Sequence, residues 1–145
     1  MGGVTSTVNL GLSLIPQNLI IVGLFVICMF VSISMGTSVG TVAAIAPVGF
    51  GFAQATHVPA ALAMATVVGG AMFGDNLSMI SDTTIAAVRT QKTKMNEKFR
   101  VNFKIVLPGA ILTIIILFFL TNGISIDHAK SYDYNLIKVI PYLLV

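Results

Sequence analysis

Apolar residues run in long blocks along this chain, and polar positions gather in short clusters between them. Residues 18–35 (NLIIVGLFVICMFVSISM) form a nearly unbroken apolar run behind Pro16, a residue well tolerated near a helix start. The run predicts a membrane helix. It meets Gly36-Thr37-Ser38-Val39-Gly40-Thr41, where each glycine lowers helical preference by about 1 kcal/mol relative to alanine. A break is expected over 36–41. Residues 42–55 resume the apolar pattern but carry Pro47, Gly49 and Gly51, which makes them short and weak for a full span. His57-Val58-Pro59 makes the next turn.

Residues 59–88 are largely apolar, and as one straight helix would measure about 45 Å against a hydrocarbon core of about 30 Å. The stretch is interrupted by a polar island, Gly74-Asp75-Asn76-Leu77-Ser78-Met79-Ile80-Ser81-Asp82-Thr83-Thr84. Two half-helices joined by an unwound segment at 74–82 are therefore expected. Residues 105–121 (IVLPGAILTIIILFFLT) form a further transmembrane helix, and 135–145 open another apolar run that reads as the start of a truncated helix. The pattern predicts an all-α, polytopic membrane protein with a re-entrant or broken helix hairpin over 18–55 and a discontinuous transmembrane helix over 59–88.

Composition agrees: 56% of the 145 residues are hydrophobic and 9% charged, against roughly a quarter charged in soluble domains. The net charge of +3 raises the question of a nucleic-acid partner. Six of the eight basic residues (Arg89, Lys92, Lys94, Lys98, Arg100, Lys104) lie within 89–104, between apolar runs. That placement reads as a membrane-flanking loop on the cytoplasmic side, with the lipid bilayer as partner and no nucleic acid. By parity, His57 falls on the outer side. Residues 18–55 then either cross twice or dip in and return, and the returning hairpin would set its tip near mid-membrane, where irregular backbone must face protein or water.

Acids in hydrocarbon are costly and mark functional sites by default. Asp75 and Asp82 are the only acids before residue 97. Seven residues apart, they share one face of a continuous helix, or converge from two half-helix ends if the link is unwound. Asn76, Ser78, Ser81, Thr83 and Thr84 surround them, and the hairpin tip adds Thr37, Ser38 and Thr41. All are oxygen donors, suited to a hard cation such as Na⁺, with Asp75, Asn76 and Asp82 as its first ligands. Neighbouring carboxylates in a low-dielectric site let a proton and a cation compete for the same oxygens. That competition is the minimal chemistry of cation/proton exchange. The N-terminus of the half-helix near Thr83 can instead hold an anionic carboxylate.

Plainer roles compete with these. Asp75, Ser81 and Asp82 are good helix caps, and hydroxyls at 37, 38 and 41 pack well between membrane helices. Gly36 and Gly40, four apart, match a close-packing helix-pair motif. Met64, Met72 and Met79 read as core filler, and Cys28 as a small buried hydrophobe. No nucleophile set, phosphate loop or dinucleotide fingerprint is present, so an enzyme is not expected.

At GTSVGTVAAIAPVGFGFA and VVGGAMFGDNLSMISDTTIAA the sequence resembles the NhaC-type Na⁺/H⁺ antiporters, within a larger group of transporters built from inverted repeats. The second stretch is the specific one. The resemblance implies that Thr37 and Ser38 sit at a hairpin tip, and that Asp75, Asn76, Ser78, Ser81, Asp82 and Thr83 line the cation and substrate path. It implies transported Na⁺ and H⁺ rather than a cofactor, and an inner-membrane location. Such carriers carry two repeats, and this chain resembles part of the second, so a fragment or one half of a carrier is expected. The missing first-repeat half, or a homo-oligomer partner, would complete the site. Exchange of organic or amino acids coupled to sodium is the alternative; a non-transporting remnant or assembly subunit is a third reading.

Overall fold

The computed structural model describes residues 19–122, which form five helices and, among the described residues, no strand. They are α1 (Ile20–Met35), α2 (Ser38–Thr56), α3 (Ala60–Leu77), α4 (Asp82–Thr90) and α5 (Met95–Asn122). The helix expected to start at 135–145 lies outside the described residues.

Helix α1 is apolar nearly all round and packs against α2, α3 and α5. Ile20, Leu24 and Cys28 pack with Val48 and Phe52 of α2 and Val67 of α3. Ile21 and Phe25 pack with Ala53, Val58, Ala63 and Leu117 of α5. The closest seam is α1 against α3. A Cβ on Gly70 would lie 2.6 Å from the Phe25 carbonyl oxygen and 2.8 Å from Cys28 Cβ, and one on Gly74 would run into the Met29 carbonyl. Two hydroxyls tie the seam: Ser32 Oγ donates to the Ala71 carbonyl at 2.6 Å, and Ser78 Oγ to the Ile33 carbonyl at 2.8 Å. Small residues that let backbones touch, with hydroxyls bonding across, are how membrane helices associate without a hydrophobic driving force. Gly40 plays no such part, because its nearest neighbours are Thr37 and Met35 beside it in the chain. The glycine pair that packs helices is Gly70 and Gly74, not Gly36 and Gly40.

Both breaks are shorter than the sequence suggests. The first is confined to Gly36 and Thr37. Gly36 takes a left-handed φ of 69° and its N–H caps α1 on the Ser32 carbonyl; Thr37 then accepts the Gly40 N–H and starts α2. Residues 38–41 are helical, and α2 runs through Pro47, Gly49 and Gly51 without interruption for 19 residues, about 28 Å. It is therefore one of three stretches long and apolar enough to cross a membrane, with Ala60–Thr90 and Met95–Asn122, whereas α1 has 16 residues within the described range. The second break is Ser78–Ser81; Gly74, Asp75 and Asn76 remain in the last turn of α3 and Asp82 opens α4. The basic stretch is mostly helical too, because α5 begins at Met95 and leaves only a short turn after Thr90.

Helix α5 runs antiparallel to α3. Near its start Asn102 bonds the Asn76 carbonyl, and near its end Leu117 packs with Ala63. The break thus stands level with Asn102, one turn before the apolar run begins at Ile105, and not with the middle of that run. Much of α5 faces outward, with Ile111, Leu112, Ile115 and Phe119 exposed.

Candidate functional site

The hairpin tip and the break meet. A Cβ on Gly36 would lie 2.7 Å from Ile80 Cγ1 and 3.1 Å from the Ile80 carbonyl carbon, so the tip of α1–α2 is seated on the link between α3 and α4. Ser78 fixes that link from below. Its N–H bonds the Gly74 and Asp75 carbonyls, its hydroxyl reaches Ile33, and the same oxygen accepts the Ile80 N–H at 3.3 Å. Ser78 and Ser81 are buried, while Met79 and Ile80 between them are exposed.

Asp75 is half-buried in the last turn of α3, and its Oδ1 is enclosed without a hydrogen-bond partner. An enclosed carboxylate oxygen with nothing donating to it is costly unless a proton or a cation takes the place of water. Asp82 is exposed in the first turn of α4, where a negative charge favours the helix N-terminus. Ser81 occupies the N-cap position but makes no cap: its hydroxyl pairs with Thr83 Oγ1 at 2.8 Å. The Asn76 side chain turns back to the Met72 carbonyl, leaving its own carbonyl to face α5.

The tip hydroxyls are occupied locally. Thr37 caps α2, and buried Thr41 donates to the Thr37 carbonyl at 2.8 Å. Ser38 is half-buried in the first turn of α2. What the sequence reading missed is Lys98 and Asn102, which both bond the Asn76 carbonyl, at 3.3 and 3.1 Å, while Lys98 also bonds Thr84 Oγ1. Membership of a basic run concealed Lys98, although its four-residue spacing from Asn102 puts both on one helix face.

Among the described residues no group of three or more His, Cys, Asp or Glu side chains is placed to hold a metal ion. Neutral oxygens are the other ligand type that suits a hard cation. Such ligands abound at the break, where hydroxyls, carbonyls at the negative end of α3 and the Asp75 carboxylate lie within a few residues.

Three apolar stretches of spanning length and a broken helix at the bundle's polar spot define a multi-pass, all-α membrane protein. The Na⁺/H⁺ antiporter family model matches residues 4–122, and the chain belongs to that family. It is similar to the Na⁺/H⁺ antiporter NhaC of Bacillus subtilis (33% identity over 116 residues, 80% of this chain and 25% of the relative). The NhaC of Alkalihalophilus pseudofirmus is 33% identical over 132 residues, covering 91% of this chain and 28% of the relative. The malate-2H⁺/Na⁺-lactate antiporter of B. subtilis is 30% identical over 160 aligned positions, 99% of this chain and 34% of the relative. These relatives are antiporters, transporters rather than enzymes, and the chain spans about a quarter to a third of their length. No solved structure matches.

Proposed function

We propose that this chain is the ion-handling segment of a secondary active transporter that exchanges Na⁺ for H⁺ across the inner (plasma) membrane. Asp75 is the carboxylate that sodium and the proton share, and Asp82, one helix start away, is its partner. Asn76, Ser78, Ser81 and Thr83 supply neutral oxygens along the path, and the tip residues Thr37, Ser38 and Thr41 shape its wall. The observation that carries this reading is the enclosed, unpartnered Asp75 Oδ1 beside a helix break, in a chain of the Na⁺/H⁺ antiporter family. In this reading the basic turn faces the cytoplasm, by the Lys/Arg excess. The site is completed by a polypeptide equivalent to the first repeat, or by a second copy of this chain, because carrier sites form between repeats.

The test is sodium-driven proton movement in everted membrane vesicles carrying the chain, alone and with the polypeptide that supplies the remaining length of such carriers. Asp75→Asn abolishes the movement, and Asp82→Asn reduces it. Unchanged exchange in Asp75→Asn overturns the reading; no exchange in any combination favours a non-transporting membrane subunit.

A second reading has an organic acid as the moved species, exchanged with sodium or protons. It is favoured by the uncapped N-terminus of α4, where Ser81 pairs with Thr83 and leaves backbone N–H groups to an anion. The similarity to a malate/lactate antiporter over 99% of the chain points the same way. Uptake of labelled lactate or malate under a sodium gradient separates the two.

A further inference from the structure

Lys98 belongs by sequence to the basic run, yet its ammonium turns away from the other cations. Arg89, Lys92, Lys94, Arg100 and Lys104 are exposed, and Lys98 is half-buried. Its Nζ donates to the Asn76 carbonyl in the last turn of α3 and to Thr84 Oγ1 in the first turns of α4, so it bridges the two half-helices across their break. Asp75, with its enclosed and unpartnered Oδ1, directly precedes Asn76 in the same last turn of α3. A main-chain carbonyl at a helix C-terminus, a hydroxyl and a nearby carboxylate are what a bare monovalent cation also seeks.

We infer that Lys98 is a tethered cation that holds the carbonyl and hydroxyl ligands beside Asp75 at the break and has to release them when a transported cation enters. The inference rests on the antiport reading of Asp75. Two features make such an exchange workable. First, the Asn76 carbonyl keeps a neutral donor, Asn102 Nδ2, so the end of α3 stays capped when the ammonium departs. Second, the long lysine stem can swing its charge toward the exposed face of α5, where Lys104 and Arg100 already lie in the open. A lysine that only pinned α5 to α3 would be indifferent to sodium; one that competes for the site holds sodium affinity down.

The test uses the purified chain together with the polypeptide that supplies the remaining length of such carriers, in lipid nanodiscs, with the sodium-dependent rise in thermal midpoint as readout and choline as the ionic control. Lys98→Gln lowers the sodium concentration for half-maximal stabilisation about tenfold, within the usual range of coupling between two ligands. Lys98→Arg keeps the wild-type value because the positive charge remains, and Asn102→Ala keeps it because a neutral donor does not compete. A second measurement needs no variant: sodium raises acylation of the Lys98 amine several-fold over choline, with Lys104 unaffected. If sodium stabilises the wild type but Lys98→Gln shows the same half-point, or Lys98 acylation ignores sodium, the inference falls and the antiport reading stands. A wild-type assembly of the chain with that polypeptide that ignores sodium across the neutral and alkaline range overturns both.

Discussion

Gly36 lies against Ile80, so closely that a Cβ there would come within 2.7 Å of the Ile80 side chain and 3.1 Å of its carbonyl carbon. The tip of the α1–α2 hairpin and the link between α3 and α4 are thereby one structural unit. Gly36→Ala meets a left-handed φ of 69° as well as that contact. The left-handed strain alone is worth roughly 1–2 kcal/mol, and the displaced link adds to it. The expected result is a clear drop in thermal midpoint by fluorescence-detected size exclusion. Gly109→Ala, with nothing within 4 Å of the new methyl, leaves the midpoint unchanged or raises it.

The α1–α3 seam gives a sharper contrast between neighbours. Gly70→Ala and Gly74→Ala press a methyl into α1 backbone, whereas Gly69→Ala meets only Phe25 Cε2 at an ordinary 3.8 Å. Overpacking of this kind costs about 1–3 kcal/mol. Denaturation in mild detergent should show Gly74→Ala as the most damaging of the three and Gly69→Ala as near neutral.

Ser32→Ala and Ser78→Ala each remove one hydroxyl bond between α1 and α3. Such bonds in membrane proteins average about 0.6 kcal/mol and reach about 1.7. Ser78→Ala also frees the Ile80 N–H. It is therefore expected to cost more than Ser32→Ala in the same denaturation measurement and, under the proposed antiport role, to lower exchange as well.

Thr37→Ala removes the side-chain cap of α2 and costs about 1 kcal/mol. Thr37→Ser restores the cap and with it the stability and, under the proposed antiport role, the exchange. If Thr37 is a cation ligand instead, Thr37→Ala loses exchange at unchanged thermal midpoint.

Much of this fold could be read from the apolar blocks, because a membrane leaves few choices for a run such as 18–35 or 105–121. The polar island was legible for the same reason: Asp75 and Asp82 have no ordinary reason to lie inside an apolar stretch. What pattern reading could not supply was extent and partnership. A glycine-rich stretch lowers helical preference without fixing where the helix stops, so residues 38–41 and 74–77 stayed helical once packed. A four-residue glycine spacing marks a face, not its partner, and Gly70/Gly74 carried the same spacing as Gly36/Gly40. Lys98 was hidden by its neighbours, since a run of charges predicts a solvated face and a flexible stem allows one member to turn inward.

The glycine seam also fixes the register of two helices. A one-turn slide of α3 along α1, about 5.4 Å, would bring Thr66 into the place of Gly70 or Ser78 into the place of Gly74, where there is no room for a side chain. A ratchet between α1 and α3 is thereby excluded, although one-turn ratchets are a known means of switching. Motion that opens the break has to fall on α4 and α5, which the hydrogen bonds of Lys98 and Asn102 hold against the end of α3.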